Sequence, residues 1–385
     1  MLGQINYTGS IKPGNMYRLS DQSEISLPFR LGEQEVGYSL GDFEIKTNSA
    51  LEYRWSNNEN EFQLREAYLM WYPSWGEVKV GKQIHAWGAV DGNNPTDNLN
   101  PYDYYYMFLP GAERKVGTVS GSLKYYWNDW QFEGVFIPEH EGNRFPFGET
   151  AFPLDFPMSA PELMDEERGS EFGFRIQTTL GSSDLSLSYF DGRDRSFSKV
   201  GMTDSIPSFF YRNTSVLGFD LVSFIGDFTN RFEIGYFSTE NDAESDMKTL
   251  NDASYIQFTG QVEYSTENDI MFSLQIIGSE ISEINGTMTK DEFQHGMGTP
   301  FASFTDLGLS FSLSANYLDD ALELMGNTFI DLKDSQSMLG VSAKYSPMDN
   351  WKLNLSISKF MGEEGTQFYE MEDFSHLKVG LEYHF

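Results

Sequence analysis

The chain has 385 residues, 39% of them hydrophobic and 16% aromatic, with no cysteine and a formal charge of −32. Such a charge repels a phosphate backbone and excludes nucleic acid as a partner, and the absence of cysteine excludes disulfides, zinc–thiolate sites and thiol nucleophiles. No apolar run reaches the roughly 18–20 residues of a membrane-spanning helix, so a membrane protein of this composition has to be a closed β-barrel.

The N-terminus, MLGQINYTG, lacks a basic region followed by an apolar core. We read it as a mature chain from which a signal peptide has been removed. From there the recurring unit is a segment of about 9–12 residues with alternating apolar and polar side chains, the length of a tilted membrane strand. Eighteen segments are expected, near 4–11, 16–28, 38–55, 61–72, 76–86, 114–127, 130–138, 171–180, 183–191, 209–223, 229–238, 253–265, 268–280, 303–317, 320–331, 338–346, 350–360 and 375–385. Sixteen is the next count the pattern allows, because Pro28 and scattered charges blur the second and third segments. The last is the cleanest: Leu377, Val379, Leu381, Tyr383 and Phe385 alternate with His376, Lys378, Gly380, Glu382 and His384.

A soluble sandwich shows the same alternation. The connections decide between the two readings. Short ones, as at Tyr72–Gly76, Trp127–Trp130 and Gly226–Thr229, alternate with long ones near 87–113, 139–170, 192–208, 239–252, 281–302 and 361–374, the asymmetry of an outer-membrane barrel with short periplasmic turns. Eight of the 14 prolines lie between 87 and 169, where they interrupt no ladder. Ser159 and Glu162 form a capping-box spacing that predicts a short helix near 160–168. The fold class is therefore all-β: a single transmembrane antiparallel up-and-down barrel over 1–385. The 87–113 and 139–170 segments are its long loops, the first folded into the lumen.

Residues Leu64–Leu69, Val80–Gln83, Trp87-Gly88, Asp91-Gly92, Pro95–Asp97, Asn100–Asp103 and Phe136–Glu139 carry a family likeness. In this order they resemble a broad family of Gram-negative outer-membrane porin-like barrels classed as a domain of unknown function. Its members are often encoded beside transporters and lipoproteins suspected of handling hydrophobic compounds. The resemblance implies an outer-membrane location and covers about 80 residues; Lys82 stands where the family more often has arginine.

The loop from Trp87 to Arg114 is the expected functional element. A long loop folded into a barrel narrows it, and fixed charges in a narrow passage set solute preference. The candidate constriction residues are Asp91, Asp97, Asp103, Tyr104, Tyr105, Tyr106, Arg114 and Lys115. Lumen-facing candidates from the alternation are Lys79, Gln83, Lys124, Arg175, Arg231 and Glu233. Asp91, Asn93 and Asp97 have the spacing of calcium-loop ligands, yet Tyr102 stands where such a loop needs its bidentate glutamate, and an Asp/Asn turn accounts for them equally. The acidic run Glu240–Asp246 reads as a solvated rim able to bridge lipid phosphates through divalent ions. Adjacent Arg65 and Glu66 pose a conflict, since neighbours on a strand face opposite sides. No metal is required, and no catalytic motif appears: the five histidines have no metal spacing and there is no GxSxG, HExxH or P-loop.

The expected function is passive diffusion of a small solute through a lumen narrowed by the 87–114 loop. The alternatives are a transporter of hydrophobic molecules, with Phe145, Phe147, Phe152 and Phe156 lining its entrance, and a plugged barrel serving an envelope complex. Expected partners are outer-membrane lipid and lipopolysaccharide, the solute, and an envelope lipoprotein or further copies of the chain.

Overall fold

In the computed structural model, alternation has produced a closed wall. The structure describes residues 3–154, 156–161, 163, 169–203, 206–240, 250–286, 289–290 and 293–385. The strands are β1 (Gln4–Ile11), β2 (Gly14–Arg18), β3 (Phe29–Leu40), β4 (Phe43–Tyr53), β5 (Asn60–Trp71), β6 (Gly76–Gln83), β7 (Thr118–Trp127), β8 (Trp130–Ile137), β9 (Glu171–Leu180) and β10 (Ser183–Arg193). They continue as β11 (Ser198–Thr203), β12 (Ile206–Phe210), β13 (Asn213–Ile225), β14 (Phe228–Glu240), β15 (Leu250–Ser265), β16 (Ile270–Gly286), β17 (Leu307–Tyr317), β18 (Leu322–Asp331), β19 (Gln336–Met348), β20 (Trp351–Gly362) and β21 (His376–His384).

Each wall strand pairs antiparallel with its neighbours, and the ends of the chain close the circle. β1 pairs with β3, its last residues Ser10 and Ile11 meet His384 and Tyr383, and β2 carries the same stave upward along Gly380–His376. With β1 and β2 as one stave and the β11–β12 hairpin outside the wall, the barrel has eighteen staves.

The second and third expected strands need correction. Residues 19–28 do not cross the membrane, and the segment expected as one strand over 38–55 is a hairpin, β3–β4, turning at Gly41 (φ 61°) and Asp42. Glycine supplies the left-handed conformation such a turn requires, and the polar side chains of Glu33, Glu35 and Gln34 hid the strand before it. The two errors compensate in the count. The helix expected near 160–168 and most of the acidic run 240–246 fall outside the described residues.

Burial is inverted relative to a soluble protein. Ile5, Phe62, Val80, Leu187 and Leu217 are exposed on the outer face, while Glu233, Gln257 and Thr259 are 0% exposed inside. An apolar belt outside and polar groups inside is what a bilayer selects. Aromatic contacts ring the short-turn end: Phe43–Trp71 (6.2 Å), Trp71–Trp75 (6.0 Å), Phe228–Tyr264 (5.1 Å) and Trp351–Tyr383 (4.8 Å). Phe29, Tyr53 and Trp55 cluster at the opposite end.

The Arg65–Glu66 conflict is resolved by a bulge. Asn48 pairs with Glu66 and Ser49 with Leu64, leaving Arg65 as an extra residue. The face inverts there: Phe62 and Leu64 point outward below it in sequence, Leu69 and Trp71 above it, and both charges enter the lumen. Deleting Arg65 leaves Leu64 on Ser49 and Glu66 on Asn48 in a regular ladder, each half of β5 on its present face, whereas deleting Ala67 turns one half of β5 inside out. The expected result is a heat-modifiable folded band in gel electrophoresis for the Arg65 deletion and its loss for the Ala67 deletion; the reverse would contradict the bulge.

Candidate functional site

The wall ends at Gln83 on β6, and the chain then turns inward. Asn100 fixes the turn: its side-chain amide donates to the carbonyls of Gln83 and Val116, both at 3.0 Å, and its carbonyl accepts from the His85 amide at 2.6 Å. From this pinned base the loop crosses to the wall formed by β14, β15 and β16.

The far anchor is Glu233 on β14. One carboxylate oxygen accepts from the backbone amides of Ala89 and Val90 (2.7 Å for Val90) and from the Asn94 side chain at 3.0 Å; the other accepts from the Thr96 hydroxyl at 2.8 Å. Arg231 donates to the Ala89 carbonyl at 2.9 Å and pairs with Glu263 at 3.1 Å. The Asp91 amide donates to Gln261, which returns a bond to the Asp91 carboxylate, and Asn93 donates to Gln275 at 2.7 Å. The hydroxyls of Thr259 and Thr299 also bond Asn93. Lumen-facing glycines make room for this packing. A Cβ at Gly173 would sit 2.7 Å from Trp87 and 2.8 Å from Leu99, and one at Gly218 would sit 2.9 Å from Thr96.

The expected constriction residues lie along this strap, and most are engaged within the protein. Asp97 and Lys115 form a buried pair at 2.5 Å. Burial pulls Lys115 below the ordinary lysine range against the pull of Asp97. Arg144 joins Asp103 (3.0 Å) to Glu52 (2.9 Å) and lies over the Tyr105 ring; burial holds the Asp103 carboxyl above its usual range. Tyr104 packs on Phe145 at 4.6 Å, Tyr105 donates to Glu149 at 3.0 Å, and Tyr106 carries Arg30 over its ring at 3.9 Å. Arg114 is buried beside Tyr102. The carboxylates of Asp91 and Asp97 and the amide of Asn93 are thus turned to Gln261, Lys115 and Gln275, three separate protein partners.

The wall candidates all point into the lumen and are also matched. Lys79 meets Glu77 (3.2 Å), Lys124 meets Glu133 (4.0 Å), Arg175 meets Asp220 (2.9 Å), and Gln83 donates to the Ser120 carbonyl (3.0 Å). Three anchors went unread in the sequence. Arg195, buried with Glu171 at 2.7 Å, grips the carbonyls of Asn98 and Leu99. Arg144 with Glu52 is the second. Arg30 and Arg65, both within reach of Glu113 (2.8 and 3.4 Å), are the third. The expected entrance phenylalanines pack on one another, Phe145 on Phe156 at 5.3 Å and Phe152 on Phe156 at 5.8 Å, within the outer loops.

The strap divides the lumen unequally. Toward β9–β16, inward residues such as Ser186, Ser188, Gln257 and Thr259 are buried. Toward β1 and β19–β21, Asn6, Thr8 and Lys378 are exposed and Ser342, Ser356 and Glu382 partly so. On that side the strap touches the wall at Phe108, 6.0 Å from Phe360 of β20, and its free edge is at Glu113, whose side chain is 43% exposed. Water reaches the inner wall on this side, and across the strap it still touches Lys124 and Arg231, whose side chains are each 28% exposed.

No family model matches the chain, and no curated protein does. Solved structures do. OpdK, an outer membrane protein of Pseudomonas aeruginosa, aligns with TM-score 0.58 at 9% identity over 99% of both chains. OccK2 of the same organism, crystallised with glucuronate, aligns at 0.57 and 9% identity over 99% of this chain and 97% of that one. A BenF-like porin from Pseudomonas fluorescens gives 0.56 and 10% over 99% and 98%. The likeness is one of fold.

Two outcomes test the strap. Glu233→Ala strips a buried carboxylate from its donors. Hydrogen bonds to a charged group contribute about 1.5–3 kcal/mol, so amide exchange over 88–97 should quicken roughly 10- to 150-fold while the wall stays protected. Equal exchange would remove Glu233 as the anchor. His85 gives the pH dependence. Burial first, then Lys115, Lys79 and Lys124, push it down to about 3, against about 6.5 unfolded. A depressed histidine stabilises the fold fully above 6.5 and progressively less as pH falls toward 3. Between pH 7 and 5 the strap should lose about 2 kcal/mol that His85→Gln does not lose; parallel pH profiles from exchange would contradict this.

Proposed function

We propose that the chain is an outer-membrane porin of a Gram-negative bacterium, passing small solutes passively beside a fixed strap. The observation that carries this reading is the unequal lumen: one side sealed by Glu233 and its donors, the other lined by water-exposed polar side chains. The loop is a diaphragm with one free edge. Along that edge the charge in contact with water is Glu113, backed by the buried Arg30 and Arg65; Asp97 and Asp103 are buried in holding the loop, and Asp91, exposed, is bound by Gln261. The fold shared with a BenF-like porin and with OccK2, crystallised with glucuronate, supports a small molecule as the cargo. The reading assigns the chain no catalysis.

Purified protein in planar bilayers should give discrete ohmic channels, and their absence would sink the porin reading. Glu113→Gln leaves Arg30 and Arg65 without that carboxylate at the free edge. Its reversal potential in a salt gradient should shift toward anions, since fixed charge in a narrow passage sets ion preference. An unchanged potential would place the path elsewhere.

A further inference from the structure

Lys82 is a cation on the wrong side of the wall. Its register partners are Ala67 on β5 and Val119 on β7, and Val119 is 55% exposed among the belt residues. Residues paired across a ladder share a face, so Lys82 points to lipid. It is half-buried, and no carboxylate or hydrogen-bond acceptor among the described residues pairs with its ammonium. Six residues along tilted β6 from the turn at Gly76 place it about 15 Å above that end, within an apolar band about 25 Å tall. An unpaired charge at such depth is costly and calls for a partner.

Two neighbouring features fit one partner. Below Lys82 the outer face is hollow: Gly121 pairs with Val80 and Phe136, Gly134 with Leu123 and Phe174, and a Cβ at either glycine would meet no atom within 4 Å. The result is a shallow apolar groove rimmed by Val80, Leu123, Phe136 and Phe174. Above Lys82 the wall is notched. β6 leaves it after Gln83, so β5 from Asn60 to Glu66 has a ladder partner only in β4, with Gly117 backing the Arg65 carbonyl and the edge above it uncovered by any strand among the described residues. Hydrocarbon does not tolerate an open strand edge, and polar groups drawn to the notch would cover it. A long lysine stem reaches upward into such a notch while its methylenes stay in the belt.

We propose that this face holds one membrane lipid with an anionic phosphate head, its acyl chain in the Gly121–Gly134 groove and its phosphate on Lys82. The charge decides the occupant: a glycine-floored groove takes an extended chain, and the lone cation above it takes a phosphate, which the surrounding bilayer presents. The inference rests on the barrel lying in a membrane and not on what crosses the lumen.

The test uses the full chain in nanodiscs of equal phosphatidylglycerol and phosphatidylcholine, followed by native mass spectrometry. One phosphatidylglycerol should be retained in preference to phosphatidylcholine. Lys82→Gln should lower that retention about fivefold, the contribution of one basic residue at a lipid surface, and Lys82→Arg should restore it. Gly121→Leu, which fills the groove, should lower retention of both lipids. The heat-modifiable band checks that each variant is folded, and single-channel conductance, expected to be unchanged in Lys82→Gln, keeps this result separate from the porin reading. Equal retention of the two lipids by the native chain, or wild-type retention by Lys82→Gln, would overturn the proposal. So would a protein dimer abolished by Gly121→Leu, which would assign the face to a second copy.

Discussion

A carboxylate cut off from water has to be given donors, and Glu233 takes its donors from a loop that starts six staves away. Two backbone amides, an asparagine and a threonine converge on it. Neither partner is stable alone: without the loop a buried carboxylate has no hydrogen bonds, and without Glu233 the loop brings bare amides into a closed space. The rest of the lumen follows from that mutual need. Asn100 holds the near end, Arg195 grips the middle through Asn98 and Leu99, and glycines at 173 and 218 let the strap lie against the wall.

Charge is handled in the same way. Lys115 with Asp97, Arg175 with Asp220 and Arg212 with Asp194 each bury a cation beside its acid, and half-buried Arg144 covers the buried Asp103 and Glu52. Buried pairs add little net stability, but breaking one is severe because the survivor is left unpaired. The strap is thereby committed to one position. At the free edge Glu113 stays in contact with water over the buried Arg30 and Arg65, and a passage there differs electrically from the sealed half.

Much of the fold was legible because a barrel wall is written locally. Period-2 alternation in β21 needs nothing beyond the strand itself, and short turns alternating with long loops orient the whole sheet. The hairpin at Gly41 was missed for a local reason too: the lumen face of β3 carries Glu33 and Glu35, so its apolar face, Val36, Tyr38 and Leu40, stood out poorly. Arg65 shows the limit more sharply. Two adjacent charges announced a conflict, but only the partner strand reveals that one of them is an extra residue. The site was legible as a segment and not as a mechanism. Composition marked the 87–114 loop, while the partners that define it, Glu52, Arg144, Glu171 and Arg195, are distant in sequence and carry no local signature.

The central claim is that the strap is fixed to the far wall while solute passes its free edge. A chain with no cysteine allows that to be measured cleanly. With Asp91→Cys and Gln261→Cys joined by a short bifunctional thiol reagent, single-channel current should persist at its uncrosslinked value, because the strap already lies there. Failure of the two thiols to crosslink, or a current abolished by crosslinking and restored by reductive release, would show that the strap must move and would contradict the account.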